Sequence, residues 1–375
     1  MLGLFLLLPV LALHARELPD YTPVLLGFAM GAYGLTQALL QIPFGRWSDR
    51  YGRKPLIAVG LALFAAGSLI GAVAQSVAML VVARSVQGAG AVSAAVSALL
   101  ADLTRPEVRT RAMAVIGASI GMSFVLALVL APVLDHAIGV SGIFLIMLCM
   151  ALGGLALLGL AVPAEPPRSG GDDSRPAAAL LELLVRPTLA PLYAGVFALH
   201  FIMTATFLSV PQALVTDLGL ASAGHWKVYL GVFVASLAGT IPLIVATERT
   251  GRGPALFVAA ILMVAAAQAL LGADHGHLWG VLGALTLFFA GFNYLEARLP
   301  AQLTLAAPGQ ERGAALGIFA TAQFLGAFLG GALGGVLLGR FGLGGVFWGS
   351  ATVAAAWAAL AAALRGAPAK LRQRA

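Results

Sequence analysis

The sequence predicts an all-α membrane protein, with twelve transmembrane helices in two pseudo-symmetric six-helix halves and a shortened first helix. Three observations predict it. Of the 375 residues, 60% are hydrophobic and only 10% are charged, and the mean hydropathy is +0.97, whereas a soluble domain carries about 25% charged residues. The charges fall in short clusters between apolar stretches of roughly 18 to 25 residues, the length a helix needs to cross a bilayer. These stretches are continuously apolar and lack the alternation of a barrel strand, so each must satisfy its own backbone hydrogen bonds as a helix.

Taken in order, the apolar runs place spans near 1–14, 22–44, 55–75, 77–101, 112–134 and 140–163, then near 189–214, 226–247, 255–272, 277–300, 313–338 and 344–364. The first run falls short of the roughly 20 residues a span requires, and is expected to lack an upstream half-helix. The first half is therefore 1–163 and the second 189–364, joined by a cytoplasmic linker at 164–188 and followed by a short basic tail at 365–375. The linker opens with PAEPPRSGGDDSRP, a turn-rich cluster that cannot span. Its AAALLELLV continuation is expected to form a short surface helix. The 46 glycines suit helices that pack closely in lipid, where small residues let backbones approach.

The net charge of +7 does not indicate nucleic acid, because the basic residues sit at helix ends and form no single patch. It indicates topology. With both termini and the 2–3, 4–5, 6–7, 8–9 and 10–11 connections on one side, that side collects 17 of the 22 Lys and Arg residues. The other side holds Arg16, Lys227 and Arg340, so both termini are expected in the cytoplasm of a bacterial inner membrane. Cys149 is the one cysteine and lies in an apolar run, which excludes a disulfide framework and a cysteine-based metal site. No metal, cofactor or nucleic acid is expected.

An internal repeat supports two halves. IPFGRWSDRYGRKP, from Ile42 to Pro55, aligns with IPLIVATERTGRGP, from Ile241 to Pro254, and keeps an acid at Asp49 and Glu248. ADLT at 101–104 likewise meets AQLT at 301–304.

The residues after the second span, Gly45-Arg46-Trp47-Ser48-Asp49-Arg50-Tyr51-Gly52-Arg53-Lys54, resemble motif A of the major facilitator superfamily. Leu80, Arg84, Gln87, Gly88, Gly90 and Ala91 resemble its motif B. Within that superfamily, GLTQALLQIPFGRWSDRYGRKPLI, SALLADLTRPEVRTRAMAVIG and HWKVYL are similar to the YajR-like group of drug:proton antiporters. The antiporter motif of span five is met only by Ala118, Ala127, Ala131 and Pro132, and alanine lacks the flexibility of glycine. The resemblance implies a monomeric secondary transporter that exports small organic molecules or drugs in exchange for protons by alternating access. A proton-coupled symporter or a uniporter of a metabolite is the alternative on the same fold. The resemblance also implies a conformational role for Gly45, Asp49, Arg50, Gly52, Arg53 and Lys54, with Asp49 facing the start of span eleven around Arg312 to Ala315 and Arg53 reaching Asp102.

Polar residues inside apolar spans are costly and point to function. Arg84 either tunes a proton site or binds substrate, or else makes a structural bond within the bundle. Glu296, in FNYLEARLP, is the first proton-carrier candidate, set against an interfacial acid that helps close the cytoplasmic side. His200 is a proton-carrier candidate because imidazole is the side chain whose ordinary charge change falls near neutral pH, and is otherwise a neutral hydrogen-bonding group. Tyr33, Gln37 and Gln41 share one helix face by their spacing and, with Asn293 and Gln323, are candidates to line a substrate cavity or to join helices. Gly117-Ala118-Ser119-Ile120-Gly121 fits the nucleophile-elbow pattern of hydrolases, but it lies in an apolar helix with no strand-turn-helix context. An enzyme is not expected.

Overall fold

The computed structural model describes residues 2–90, 92–163, 177–307, 309 and 311–366; the linker segment 164–176, Ala91 of motif B and tail residues 367–375 lie outside the described residues. The described residues form helices α1 (Leu2–Leu6), α2 (Leu11–Ala15), α3 (Pro23–Tyr51), α4 (Arg53–Ala72), α5 (Val77–Ala89), α6 (Ser93–Leu103), α7 (Pro106–Leu160), α8 (Ala177–Val185), α9 (Ala190–Thr216), α10 (His225–Thr250), α11 (Gly253–Ala273), α12 (Leu278–Ala306) and α13 (Arg312–Gly366). Among the described residues, nine helical stretches are long and apolar enough to cross a membrane. Two of these, α7 and α13, each hold two helices joined at Gly139 and Gly342, where φ is 69° and 68°. Eleven passes follow among the described residues. The two glycines occupy matching places in the two halves, as do Gly52 and Gly251, which also have positive φ. Only glycine adopts that backbone at little cost.

Four sequence expectations change. Residues 1–14 are not one span but two five-residue helices with a turn between them, because Pro9 has no N–H and its ring clashes with the preceding turn. The chain there is still interior, with Leu6, Leu7, Val10 and Leu11 buried. The segment 45–54 is not a loop: α3 stays helical through Tyr51, and Gly52 alone makes the turn into α4. The fourth span is interrupted between α5 and α6, where Gly90 lies against the carbonyl of Gly60 too closely for any side chain. Finally, helices overrun the expected apolar limits, as in α12, which continues to Ala306.

Helix α13 sits between the halves. On one side it meets α3: a Cβ at Gly31 would lie 2.6 Å from the Phe328 carbonyl oxygen, and Gly27, Gly331 and Gly335 approach one another backbone to backbone. On its other side Gly326 and Gly330 rest on the carbonyls of Phe197 and Phe201 in α9. Residues 27, 31, 34, 38 and 45 share a stripe on α3, and 313, 317, 324, 328, 331 and 335 share one on α13. The contact is tight from Pro23 and Gly335 to Gly34 and Phe324, yet a Cβ at Gly45, Gly313 or Gly317 meets nothing within 4 Å. The two helices therefore part toward the end that carries residues 45–54, and the bundle is open at that end.

Candidate functional site

The opening between the halves leads to polar groups contributed by both. In the second half, α9 is buried almost throughout, which forces its polar side chains to find partners inside the bundle. The His200 Nδ1 lies 3.1 Å from the Val196 carbonyl oxygen one turn back. Its Nε2 lies 2.8 Å from Nε2 of Gln323 on α13 and 3.8 Å from the Glu296 carboxylate on α12. Three candidates from three helices thus meet at one point. Phe292 lies beside the imidazole, with ring centroids 6.3 Å apart. Phe124 of the first half, with Phe207, Phe289 and Phe292 of the second, fills the junction of the halves with rings. Glu296 is partly exposed, while its Oε2 is buried without a hydrogen bond.

In the first half, Arg84 is almost fully buried and donates from Nη1 to Oε1 of Gln87 at 3.0 Å. Gln87 in turn donates to Ser68 at 2.9 Å. The guanidinium carbon stands 4.9 Å from the centre of the Tyr33 ring, and that ring packs edge-on against Phe324 of α13 at 6.3 Å. One turn along, Gln37 donates to Gln41 at 3.2 Å and Gln41 to Ser93 at 3.4 Å, so the shared face read from spacing is present. Asn293 donates to Ser236 at 3.3 Å and holds α12 to α10. It does not join the His200 group through any described bond. Sequence reasoning missed Ser68, Phe292, Phe124 and Phe324; a polar serine within an apolar span was the only signal among them.

At the open end, Arg53 bonds Asp102 at 3.2 Å, Ser48 at 2.9 Å, and also Asp49. Lys54 donates to the Val162 carbonyl at 2.8 Å, tying the start of α4 to the end of the sixth span. Arg50 stacks on Tyr51 with its guanidinium carbon 5.3 Å from the ring centre. The reach from Arg53 to Asp102 is therefore observed, and the described ion pair of Asp49 lies within its own half. Across the gap, Arg186 after the linker helix α8 bonds Glu311 at 2.6 Å, and that hydrogen bond pushes the Arg186 guanidinium further toward its charged form. Ser119 donates to the Val115 carbonyl at 2.8 Å in the manner of any helical serine, and no histidine bonds it among the described residues.

The opposite end is polar and closed. His14, Glu17, Asp135, His136 and Ser222 line a pocket of about 470 Å³ where the halves meet. Asp217 and His275, 3.5 Å apart, join the ends of α9 and α11.

The sequence model of the Major Facilitator Superfamily matches residues 1–295 and 192–375. The chain is 39% identical to the inner membrane transport protein YajR of Escherichia coli over 98% of its own length and 81% of the relative's. It is 30% identical to an uncharacterised transporter of Buchnera aphidicola over 88% and 84%. A D-xylose-proton symporter superposes with a TM-score of 0.75 at 18% identity, over 96% of this chain and 95% of that one. A bacterial homologue of the lysosomal transporter Spinster, in an inward-facing and occupied conformation, gives 0.73 at 15% identity over 96% and 93%. An all-α bundle of apolar helices, a central seam lined by polar groups, and a match that runs through the whole chain lead to one conclusion: this protein belongs to the Major Facilitator Superfamily of membrane transporters.

Proposed function

We propose that the chain is a proton-coupled secondary transporter that moves small organic molecules outward in exchange for protons, by alternating access between its two halves. The observation that carries this reading is the meeting of His200, Gln323 and Glu296 at the open seam. An acid and an imidazole lie within 3.8 Å of one another in a setting of phenylalanines, and both are side-chain types that serve as proton carriers. Alternating access then exposes the pair to one side at a time. The end with residues 45–54 is cytoplasmic in this reading, as the excess of Lys and Arg there requires, and the membrane is a bacterial inner membrane. The protein works as a monomer in this reading, since the two halves supply the two walls of a single path.

The test uses purified protein in liposomes with an imposed pH gradient and a library of small molecules, with lumenal pH and substrate followed together. Antiport changes lumenal pH opposite in sense to symport, and a uniporter leaves it unchanged. Glu296→Gln is expected to insert normally and to lose substrate-dependent proton movement. Retention of full gradient dependence by this variant would remove Glu296 from the mechanism.

A further inference from the structure

We propose that Arg84 anchors a carboxylate of the transported molecule, which makes the substrate class an organic anion; this rests on the reading of the protein as a transporter whose substrate passes between the halves. The guanidinium is 2% exposed and has no carboxylate partner among the described residues. Its described partners are the neutral amide of Gln87 and the ring of Tyr33, and its Nε has no hydrogen-bond acceptor among the described residues. The first half offers no acid to pair with it: Glu17, Asp20, Asp49, Asp102, Glu107 and Asp135 all lie toward helix ends or in connections. Glu296, the acid nearest the seam, belongs to the other half and lies beside His200.

A buried cation without an anion is costly, and proteins keep such groups where a ligand supplies the missing charge. Position supports this. Tyr33 covers Arg84 and touches Phe324 across the seam, so one side chain separates the guanidinium from the path between the halves. Gln37, one turn from Tyr33, leaves its Oε1 buried and without a donor among the described residues. A carboxylate accepting from the Arg84 fork, with a hydroxyl or amine N–H nearby to meet Gln37, would satisfy both orphaned atoms. The planar fork of arginine fits a carboxylate better than a point charge does, and a cation would be repelled at this wall.

The experiment measures binding of radiolabelled benzoate to detergent-purified protein with no pH gradient, using benzylamine and benzyl alcohol as cationic and neutral competitors with the same ring. Benzoate is expected to bind, to be displaced by unlabelled benzoate and not by the other two. Arg84→Met, an apolar chain of similar length, should weaken binding at least about tenfold; it also leaves the Gln87 Oε1 without its donor, so the thermal midpoint is measured alongside. Arg84→Lys, which keeps the charge and loses the fork, should bind several-fold more weakly than wild type, and it decides the matter if the Met variant fails to accumulate. No benzoate binding by wild type, equal displacement by benzylamine, or wild-type affinity in either variant overturns the proposal. Benzoate binding without any pH-dependent transport would sink proton coupling and leave the anion site standing; coupled transport of a cation with no benzoate binding does the reverse.

Discussion

His200 shows what partners add to a residue. In the sequence it is a lone histidine in an apolar run, as readily a hydrogen-bonding group as a proton carrier. In the fold its Nδ1 faces a carbonyl and must donate, which leaves Nε2 as the acceptor for the Gln323 amide. A carboxylate lies 3.8 Å from the same Nε2. Gln323→Leu removes the donor and leaves a buried nitrogen unpaired, at a cost of about 1–3 kcal/mol. Thermal unfolding in detergent should show the loss, and His200→Phe combined with Gln323→Leu should recover most of it because both partners are gone. A double variant as unstable as the sum of the singles would show that the pair does not interact. The identities of Arg84, His200, Glu296 and Gln323 were legible because each is polar where lipid or packing demands apolar residues. Their grouping was not, since nothing in a linear pattern says that α9, α12 and α13 converge. Asn293 met the same criterion and turned out to bond Ser236 instead.

Helices were legible and their interruptions were not. An apolar run fixes that a segment spans, but the break after Ala89 depends on how closely α4 approaches, and the helical course of residues 45–51 depends on a single turn at Gly52. Caps were also missed. The Asp20 carboxylate accepts from the backbone N–H of Val77 at 2.6 Å and of Ala78 at 3.0 Å, fastening the first connection to the start of α5, where Ser76 caps Met79. Those N–H groups hold the Asp20 carboxyl below its ordinary range. A depressed folded value means the contribution is present above the unfolded value and is lost as pH falls through the folded one. Asp20→Ala should therefore lower the thermal midpoint at neutral pH, and the difference from wild type should close under strongly acidic conditions. A gap that persists at acid pH would mean that the cap does not depend on the ionised carboxylate. Between elements, the glycines of α13 set the spacing. A methyl at Gly330 would strike the Phe201 carbonyl, so Gly330→Ala is expected to cost about 1–3 kcal/mol by overpacking, read from the same unfolding measurement.

For the whole molecule, the two ends of the α3 and α13 stripes act in opposition. At one end glycines hold the helices together from Pro23 to Gly34, while at the other Gly45, Gly313 and Gly317 face open space. The alternating access proposed above would require that this arrangement exchange with its converse, in which the 45–54 end closes and the glycine seam parts. In the proposed cycle, closure would bring Asp49 toward the first turn of α13, which begins at Arg312, and a helix N-terminus attracts negative charge by about 0.3–1 kcal/mol. That amount is small against folding and large against a balanced equilibrium, where it shifts populations by roughly two- to fivefold. Arg53 keeps Asp102 as a partner when Asp49 loses its charge, so Asp49→Asn should leave the first half intact. Ala320, packed at the seam beside Tyr33, Ala38 and Phe324, reports closure when replaced by cysteine in a Cys149→Ser background. Labelling of Ala320→Cys from the cytoplasmic side should quicken by a few-fold with Asp49→Asn, which weakens the closed state. It should slow with Gly31→Val, whose added methyls strike the Phe328 carbonyl and pry open the opposite end. Because the two substitutions act on opposite ends of the same pair of helices, a general loosening of the bundle predicts faster labelling in both. Opposite changes support the rocking seam, whereas unchanged labelling together with full transport in Asp49→Asn removes the carboxylate from the lock.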